Sequence, residues 1–143
     1  MAFPAVVDTN VLVSGLLTTS PDSPLAAVID GMLAGRFPFL LSPQLLAEVR
    51  EVLQRPKIRN LHGLSEGEVE DLLIAITTNG IWHEPSPAPG VPGPPDPGDD
   101  HLWALLRTAR GAMLVSGDRL LLENPPDFAS VVSPRSFVKL LKD

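Results

Sequence analysis

An α/β fold, with a parallel sheet covered by helices on both faces, is predicted by three observations. Short apolar runs recur along the 143-residue chain, at residues 5–7, 37–41, 112–115 and 130–132. Longer stretches with helical start and stop signals lie between them. No internal repeat or low-complexity array competes with this alternation. Strands that alternate with helices are joined by crossovers, which makes them parallel and covers both faces of the sheet. Such sheets bind ligands beyond the carboxyl ends of their strands, so chemistry is expected there.

The first run, Ala5-Val6-Val7, stops at Asp8-Thr9-Asn10, and residues 11–17 continue as a helix capped from Thr9 or Asn10. Residues 18–23 are loop by composition. Ser23-Pro24 is a cap followed by a first-turn proline, opening a helix to about residue 34 that Gly35 ends. Ser42-Pro43 repeats that signal after the second strand. Its helix runs to about Gln54, and Pro56 closes it. Ser65, with Glu66, Glu68 and Glu70 after it, caps a helix to about Thr78, and Ile81-Trp82 follows as a short extended segment. Residues 85–98 hold seven of the sixteen prolines and three glycines, which predicts a stiff loop without helix or central strand. Residues 99–110 are predicted helical with Gly111 as the stop, and Ser133-Pro134 opens a last helix through Leu141. A single domain over residues 1–143, with the proline-rich loop inside it, is the expectation from length.

Composition narrows the class. The chain is 44% apolar, as folded globular proteins are. It contains no cysteine, which excludes disulfides, thiolate metal sites and cysteine nucleophiles. No apolar run reaches the roughly 18 to 20 residues needed to cross a bilayer. MAFPAVVDTN lacks the basic, apolar and cleavage segments of a signal peptide. A soluble cytoplasmic protein with no membrane partner is expected. The formal net charge of −6 argues against a basic groove for nucleic acid and suits cation binding.

Two strands run into an acid: Val6-Val7 into Asp8, and Leu114-Val115-Ser116-Gly117 into Asp118. A carboxylate beside a buried strand is costly unless something satisfies it, although either acid alone could cap the following helix. On the helix opened by Ser42-Pro43, Glu48 falls at the rim of the apolar arc of Leu45, Leu46, Val49, Val52 and Leu53, while Arg50 and Glu51 fall on the solvated side. Asp99 shares a face with Leu102, Trp103 and Leu106, and Asp100 lines up with Arg107 for a solvated pair. Asp96 competes with Asp99 for the cap of that helix. Clustered carboxylates repel unless a cation lies between them. An oxygen-only donor set favours Mg²⁺ or Mn²⁺ over Zn²⁺.

The segments VVDTNVLVSGLL, LSPQLLAEVREVLQRPKI, DPGDDHLWALL, LVSGDRLLL and VVSPRSFVKLL, in this order, resemble the PIN domain family. The likeness is to its VapC-like branch, the toxin components of toxin–antitoxin pairs. The resemblance implies a three-layer α/β/α sandwich with a central, mostly parallel sheet. It also implies a Mg²⁺- or Mn²⁺-dependent endoribonuclease that leaves 5′-phosphate and 3′-hydroxyl ends. The family's acids fall on Asp8, Glu48, Asp99 and Asp118, its supporting polar positions on Asn10 and Ser116, and an acid that commonly precedes the third on Asp96. An RNA substrate, an antitoxin protein and a homodimer are the partners it implies. Two positions depart from the pattern: Gly98 stands where an acid is usual, and Leu120 where a second acid often follows.

Arg50, Arg55, Lys57 and Arg59 gather four basic residues beside His62, either to hold an RNA backbone or as an ordinary solvated helix end. His62, His83 and His101 are scattered and are not expected to be ligands, but His101 follows the paired acids and a supporting role there is open. Trp82 and Trp103 read as core, and Ser14 and Ser20 have no base partner in sight. VVDTN with SGD also resembles a haloacid-dehalogenase-like phosphatase, which needs an acid where Asn10 stands. A receiver-like domain lacks its late lysine. A PIN-like module that binds metal or RNA without cutting is the non-enzymatic alternative. Setting the four candidate acids aside leaves thirteen acids against eleven bases, so most of the acidic surplus is local to one predicted pocket.

Overall fold

A computed structural model describes residues 3–85, 88 and 90–142. Along the chain run β1 (Ala5–Val7), α1 (Thr9–Leu17), α2 (Pro24–Leu33), β2 (Leu40–Leu41), α3 (Pro43–Gln54), α4 (Pro56–His62), α5 (Glu66–Thr77) and β3 (Ile81–Trp82). A 3-10 turn (Pro97–Asp99), α6 (Asp100–Leu106), β4 (Met113–Val115), α7 (Arg119–Glu123), β5 (Ser130–Val132) and α8 (Pro134–Lys142) follow. The fold is a three-layer α/β/α arrangement around parallel strands.

β1, β4 and β5 pair in that order, and β2 pairs with β3, all parallel. A parallel bridge between Ala5 and Phe39 joins the two groups, with the Ala5 N–H donating to the Pro38 carbonyl at 2.9 Å. The spatial order is therefore β3-β2-β1-β4-β5. The chain works outward from β1 to β3, then returns to the other side of β1 for β4 and β5. The crevice at that reversal, between the carboxyl ends of β1 and β4, is where open α/β sheets bind ligands.

The register puts the site at one level. Val7 pairs with Val115, and Val115 with Val132. The ladder then runs one residue further, with the Asp8 N–H on the Val115 carbonyl at 2.9 Å and the Ser116 N–H on the Val132 carbonyl at 3.0 Å. All three residues of β1 are buried, as parallel strands covered on both faces are. α6 rests against β1 and β4, and α3 packs on α1, α5 and α6. α8 is anchored through Phe137, which is fully buried and meets the Phe37 ring edge-on at 4.9 Å.

The serine cap signals perform as expected, whereas α1 begins at Thr9 with Asp8 at its cap position, not Thr9 or Asn10. Ser23, Ser42 and Ser65 accept from the Ala26, Leu45 and Glu68 N–H groups, and Ser65 with Glu68 forms a reciprocal capping box. Other elements differ from their predictions. Pro56 follows the end of α3 but also opens α4, because Arg55 is extended (φ −61°, ψ 136°) and serves both helix ends. α7 went unpredicted; it is one short turn capped by Asp118. The helix expected over residues 99–110 is shorter, since Pro97 first nucleates a 3-10 turn and α6 ends at Leu106. That turn also falls inside the loop predicted to be free of helix. The second strand narrows to Leu40–Leu41, because Pro38 has no N–H to place in a ladder. Within the loop over 85–98, Ser86, Pro87 and Pro89 lie outside the described residues. No helix among the described residues is long and apolar enough to cross a membrane.

Truncating the anchor of α8 should cost far more than trimming its outer face. Phe137→Ala should lower unfolding free energy by about 3–5 kcal/mol, and Leu140→Ala, which is 43% exposed, by no more than about 0.5 kcal/mol. Urea denaturation of the two variants checks this, and equal losses would contradict the assigned packing.

Candidate active site

Asp8 is the residue at which β1 leaves the sheet, and it is 4% exposed. It occupies the cap position of α1 but its side chain makes no capping hydrogen bond. Instead its Oδ2 accepts the Ser116 hydroxyl proton at 2.8 Å. Ser116 is fully buried at the end of β4, and its Oγ also accepts from the Asp118 N–H at 3.0 Å. One hydroxyl thus ties the ends of β1 and β4 and the start of the Asp118 turn. Burial pushes the Asp8 carboxyl above its usual range, the charges of Glu48 and Asp118 push the same way, and the Ser116 hydrogen bond pulls it back.

Asp118 does cap. Its Oδ1 accepts from the Leu120 N–H at 3.0 Å, opening α7. Asp96 caps as well, accepting from the Gly98 N–H at 2.9 Å, and so holds the 3-10 turn. That frees Asp99, which sits at the cap position of α6 with no capping hydrogen bond. Asp99 is half-buried and its carboxyl is pushed up to about 6, first by burial and then by the charges of Asp8, Asp96 and Glu48, with His101 opposing.

Glu48 lies where helical periodicity puts it, at the rim of the face that α3 turns to the core. Its side chain is 35% exposed and its Oε2 meets the His101 Nε2 at 2.9 Å. The other ring nitrogen of His101 is buried without a partner, as is the Thr9 hydroxyl beside Asp8. The sequence left a supporting role for His101 open, but nothing in it pairs His101 with Glu48, 53 residues earlier. Thr9 read only as a possible cap. Asn10 is exposed and lines an open cleft of about 540 Å³ with Ser14, Asp118 and Arg119.

Asp8 links the acids electrostatically: it feels the charges of Glu48 and Asp118, and Asp99 feels those of Asp8, Asp96 and Glu48, while Ser116 bonds Asp8 and Asn10 shares the cleft beside Asp118. Among the described residues, no group of three His, Asp or Glu side chains is arranged to hold a metal ion. The donor chemistry nonetheless fits a hard divalent cation. Mg²⁺ keeps several of its waters and takes only one or two carboxylates plus substrate phosphate. Carboxylates held upward by one another's charge are the ones a cation relaxes most.

The basic residues lie elsewhere. Arg50 is half-buried rather than solvated, and it grips Glu70 of α5 through Nε at 2.6 Å and a second nitrogen at 3.2 Å. Arg55 pairs with Glu51 at 3.3 Å, and Lys57 and Arg59 are exposed on α4. His62 is structural, joining the Leu53 carbonyl to the Leu64 N–H. Asp100 makes no pair with Arg107, which donates to the Pro92 carbonyl at 3.1 Å and lies 5.0 Å over the Phe128 ring. Trp103 is core as expected, whereas Trp82 is 48% exposed on edge strand β3.

A family model described as PIN domain matches residues 4–120, a span that includes all four acids. The chain belongs to the PIN domain family, whose members are generally nucleases that typically bind divalent metals. No curated protein matches the chain.

Asp99 supplies a pH test. Its folded form binds its proton more tightly than the unfolded chain does, so stability should fall as pH rises from about 4 through about 6. In metal-free protein Asp99→Asn should raise the melting temperature at pH 7.5 and change it little at pH 4. Equal shifts at both pH values would remove Asp99 from the acid cluster.

Proposed function

We propose that this PIN-domain protein is a Mg²⁺- or Mn²⁺-dependent endoribonuclease, the toxin half of a toxin–antitoxin pair. The observation that carries it is the Asp8 carboxylate, oriented by Ser116 at the crevice between β1 and β4 and pushed above its usual range first by burial and then by the charges of Glu48 and Asp118. Asp8, Asp99 and Asp118 would hold the cation, with Glu48 reaching it directly or through water. When bound, a divalent cation polarises the phosphodiester and lowers the pKa of an attacking water.

The chain's own groups prepare that chemistry. The Ser116 proton is donated to one Asp8 oxygen, which fixes the orientation of the carboxylate at the strand end. Asp118 spends one oxygen on the Leu120 N–H and keeps the second. His101 restrains Glu48, so the longest and most mobile of the four acids is held in place. Asn10 and Ser14 line the cleft beside Asp118, where their amide and hydroxyl can meet phosphate or ribose oxygens. Without a cation this pocket repels a phosphodiester, and with one it attracts it. As a toxin the protein needs an antitoxin, and a basic side chain inserted among the acids would occupy the cation's place.

The absence of a ready three-ligand group among the described residues, with Gly98 and Leu120 at two positions where the resemblance expects acids, favours one second reading: a module that binds cation and RNA without turnover. Cleavage of a fluorogenic RNA separates the two. Wild-type protein should cut RNA with Mg²⁺ or Mn²⁺ and stop in EDTA. Ser116→Ala should lose roughly 10- to 100-fold, and Asp8→Asn and Asp118→Asn should lose more. Activity indifferent to EDTA and to both aspartate substitutions sinks the proposal. Cation binding with no turnover on any RNA supports the module instead.

A further inference from the structure

We propose that the cavity beside His101 is a guanine subsite, which seats a base next to the scissile phosphate; as a cleavage-site selector it rests on the nuclease reading above. The cavity measures about 440 Å³ and lies between α6, the start of α3 and the proline-rich loop. It is within the size range of small-ligand pockets. His101 belongs to both places: it lines the cavity, and its Nε2 meets Glu48 at 2.9 Å. A single imidazole ring thus separates the cavity from the acid cluster. The proposal places the base on the cavity side of that ring and its phosphate on the side of Glu48.

Pro85, Val91 and Ala104 give the cavity apolar walls suited to the faces of a heteroaromatic ring. Its polar groups are few and unequal. Arg107 is engaged with the Pro92 carbonyl and the Phe128 ring, so it braces the wall. The Asp100 carboxylate lines the cavity and accepts no hydrogen bond among the described residues. The loop approaches it at Gly93, where a Cβ would stand 2.8 Å from the Asp100 Oδ1. Any other residue there would crowd the carboxylate.

The chemistry of that acceptor selects the base. An ionised carboxylate only accepts, through two oxygens side by side. Guanine presents two adjacent donors on one edge, N1–H and the 2-amino group. Adenine and cytosine offer one amino group flanked by an acceptor, and uracil one N–H between two carbonyls, so each sets a lone pair against the carboxylate. Gln44, whose amide both donates and accepts, completes the polar rim.

Two measurements test this on the full chain. In the first, the four ribonucleosides are titrated by saturation-transfer NMR without metal. Guanosine should bind more tightly than the others by roughly 5- to 150-fold, the discrimination of one bidentate pair. Asp100→Asn should erase the preference, and Ala104→Trp, which fills the cavity, should abolish binding while the circular dichroism spectrum is unchanged. Four nucleosides that bind alike or not at all, or a preference that survives Asp100→Asn, overturn the subsite. In the second, cleavage positions are mapped on a mixed-sequence RNA with Mn²⁺. Cuts clustered beside guanosine that disperse in Asp100→Asn support it. Cleavage with no base preference removes the subsite and leaves the nuclease standing. Guanosine binding without any cleavage removes the nuclease and leaves the subsite.

Discussion

The Ser116 hydroxyl has one proton, and the site depends on where it goes. It is donated to Asp8, while the oxygen accepts the Asp118 N–H. Both contacts are possible because the parallel register brings β1 and β4 to an end side by side, Val7 against Val115. A buried carboxylate without a donor carries a desolvation penalty of at least about 1–3 kcal/mol, so Asp8 could not sit at 4% exposure on a bare strand end. The same hydroxyl fixes the turn that presents Asp118. Sheet topology and site chemistry therefore meet in a single side chain.

Around that link the four acids arrive from four different local structures: a strand end, a helix rim, a 3-10 turn and the cap of a short helix. Three of them are held by a hydrogen bond of their own, Asp8 from Ser116, Glu48 with His101 and Asp118 from the Leu120 N–H, so the chain can gather like charges that would otherwise drift apart. The consequence is visible where restraint is weakest. Among the described residues the Asp99 side chain neither caps nor accepts another hydrogen bond, and burial first, then the charges of Asp8, Asp96 and Glu48, pushes its carboxyl up to about 6. His101, in the first turn of α6, acts against that rise. Much of the chain's acidic surplus is confined to this cluster.

What the sequence showed, and what it hid, follows from the range of each signal. Asp8 and Asp118 were legible because an acid at the end of an apolar run is a local pattern. Glu48 was legible because helical periodicity fixes which side of α3 it takes, and the same rule separated Asp99 from Asp100. Capping chemistry was only half legible. Asp96 and Asp118 cap, whereas Asp8 stands at a cap position without capping and instead accepts from the Ser116 hydroxyl 108 residues away. Long-range pairings left no trace in spacing, so the Glu48–His101 contact and the Arg50–Glu70 clasp appeared only in the fold. α4 and α7 are too short to show a period, and Arg55 and Pro56 serve two helices where the residue pattern suggested a stop.

The proline-rich loop takes its place from the same economy of contacts. Seven prolines remove donors and restrict the backbone, so the loop can contribute little ladder or helix hydrogen bonding of its own. It is instead held from outside. Arg107 of α6 reaches the Pro92 carbonyl and stacks on Phe128 of the β4–β5 connection, and Gly93 lets the backbone close on Asp100. α6 is thus shared: its first turn carries His101 toward the acids, and its last turn, with Arg107 just beyond, fastens the loop. The described part of that wall is therefore fastened to the same helix whose first turn sets His101 against Glu48. That coupling is what a cleavage site needs if base choice and phosphate position are to stay in register.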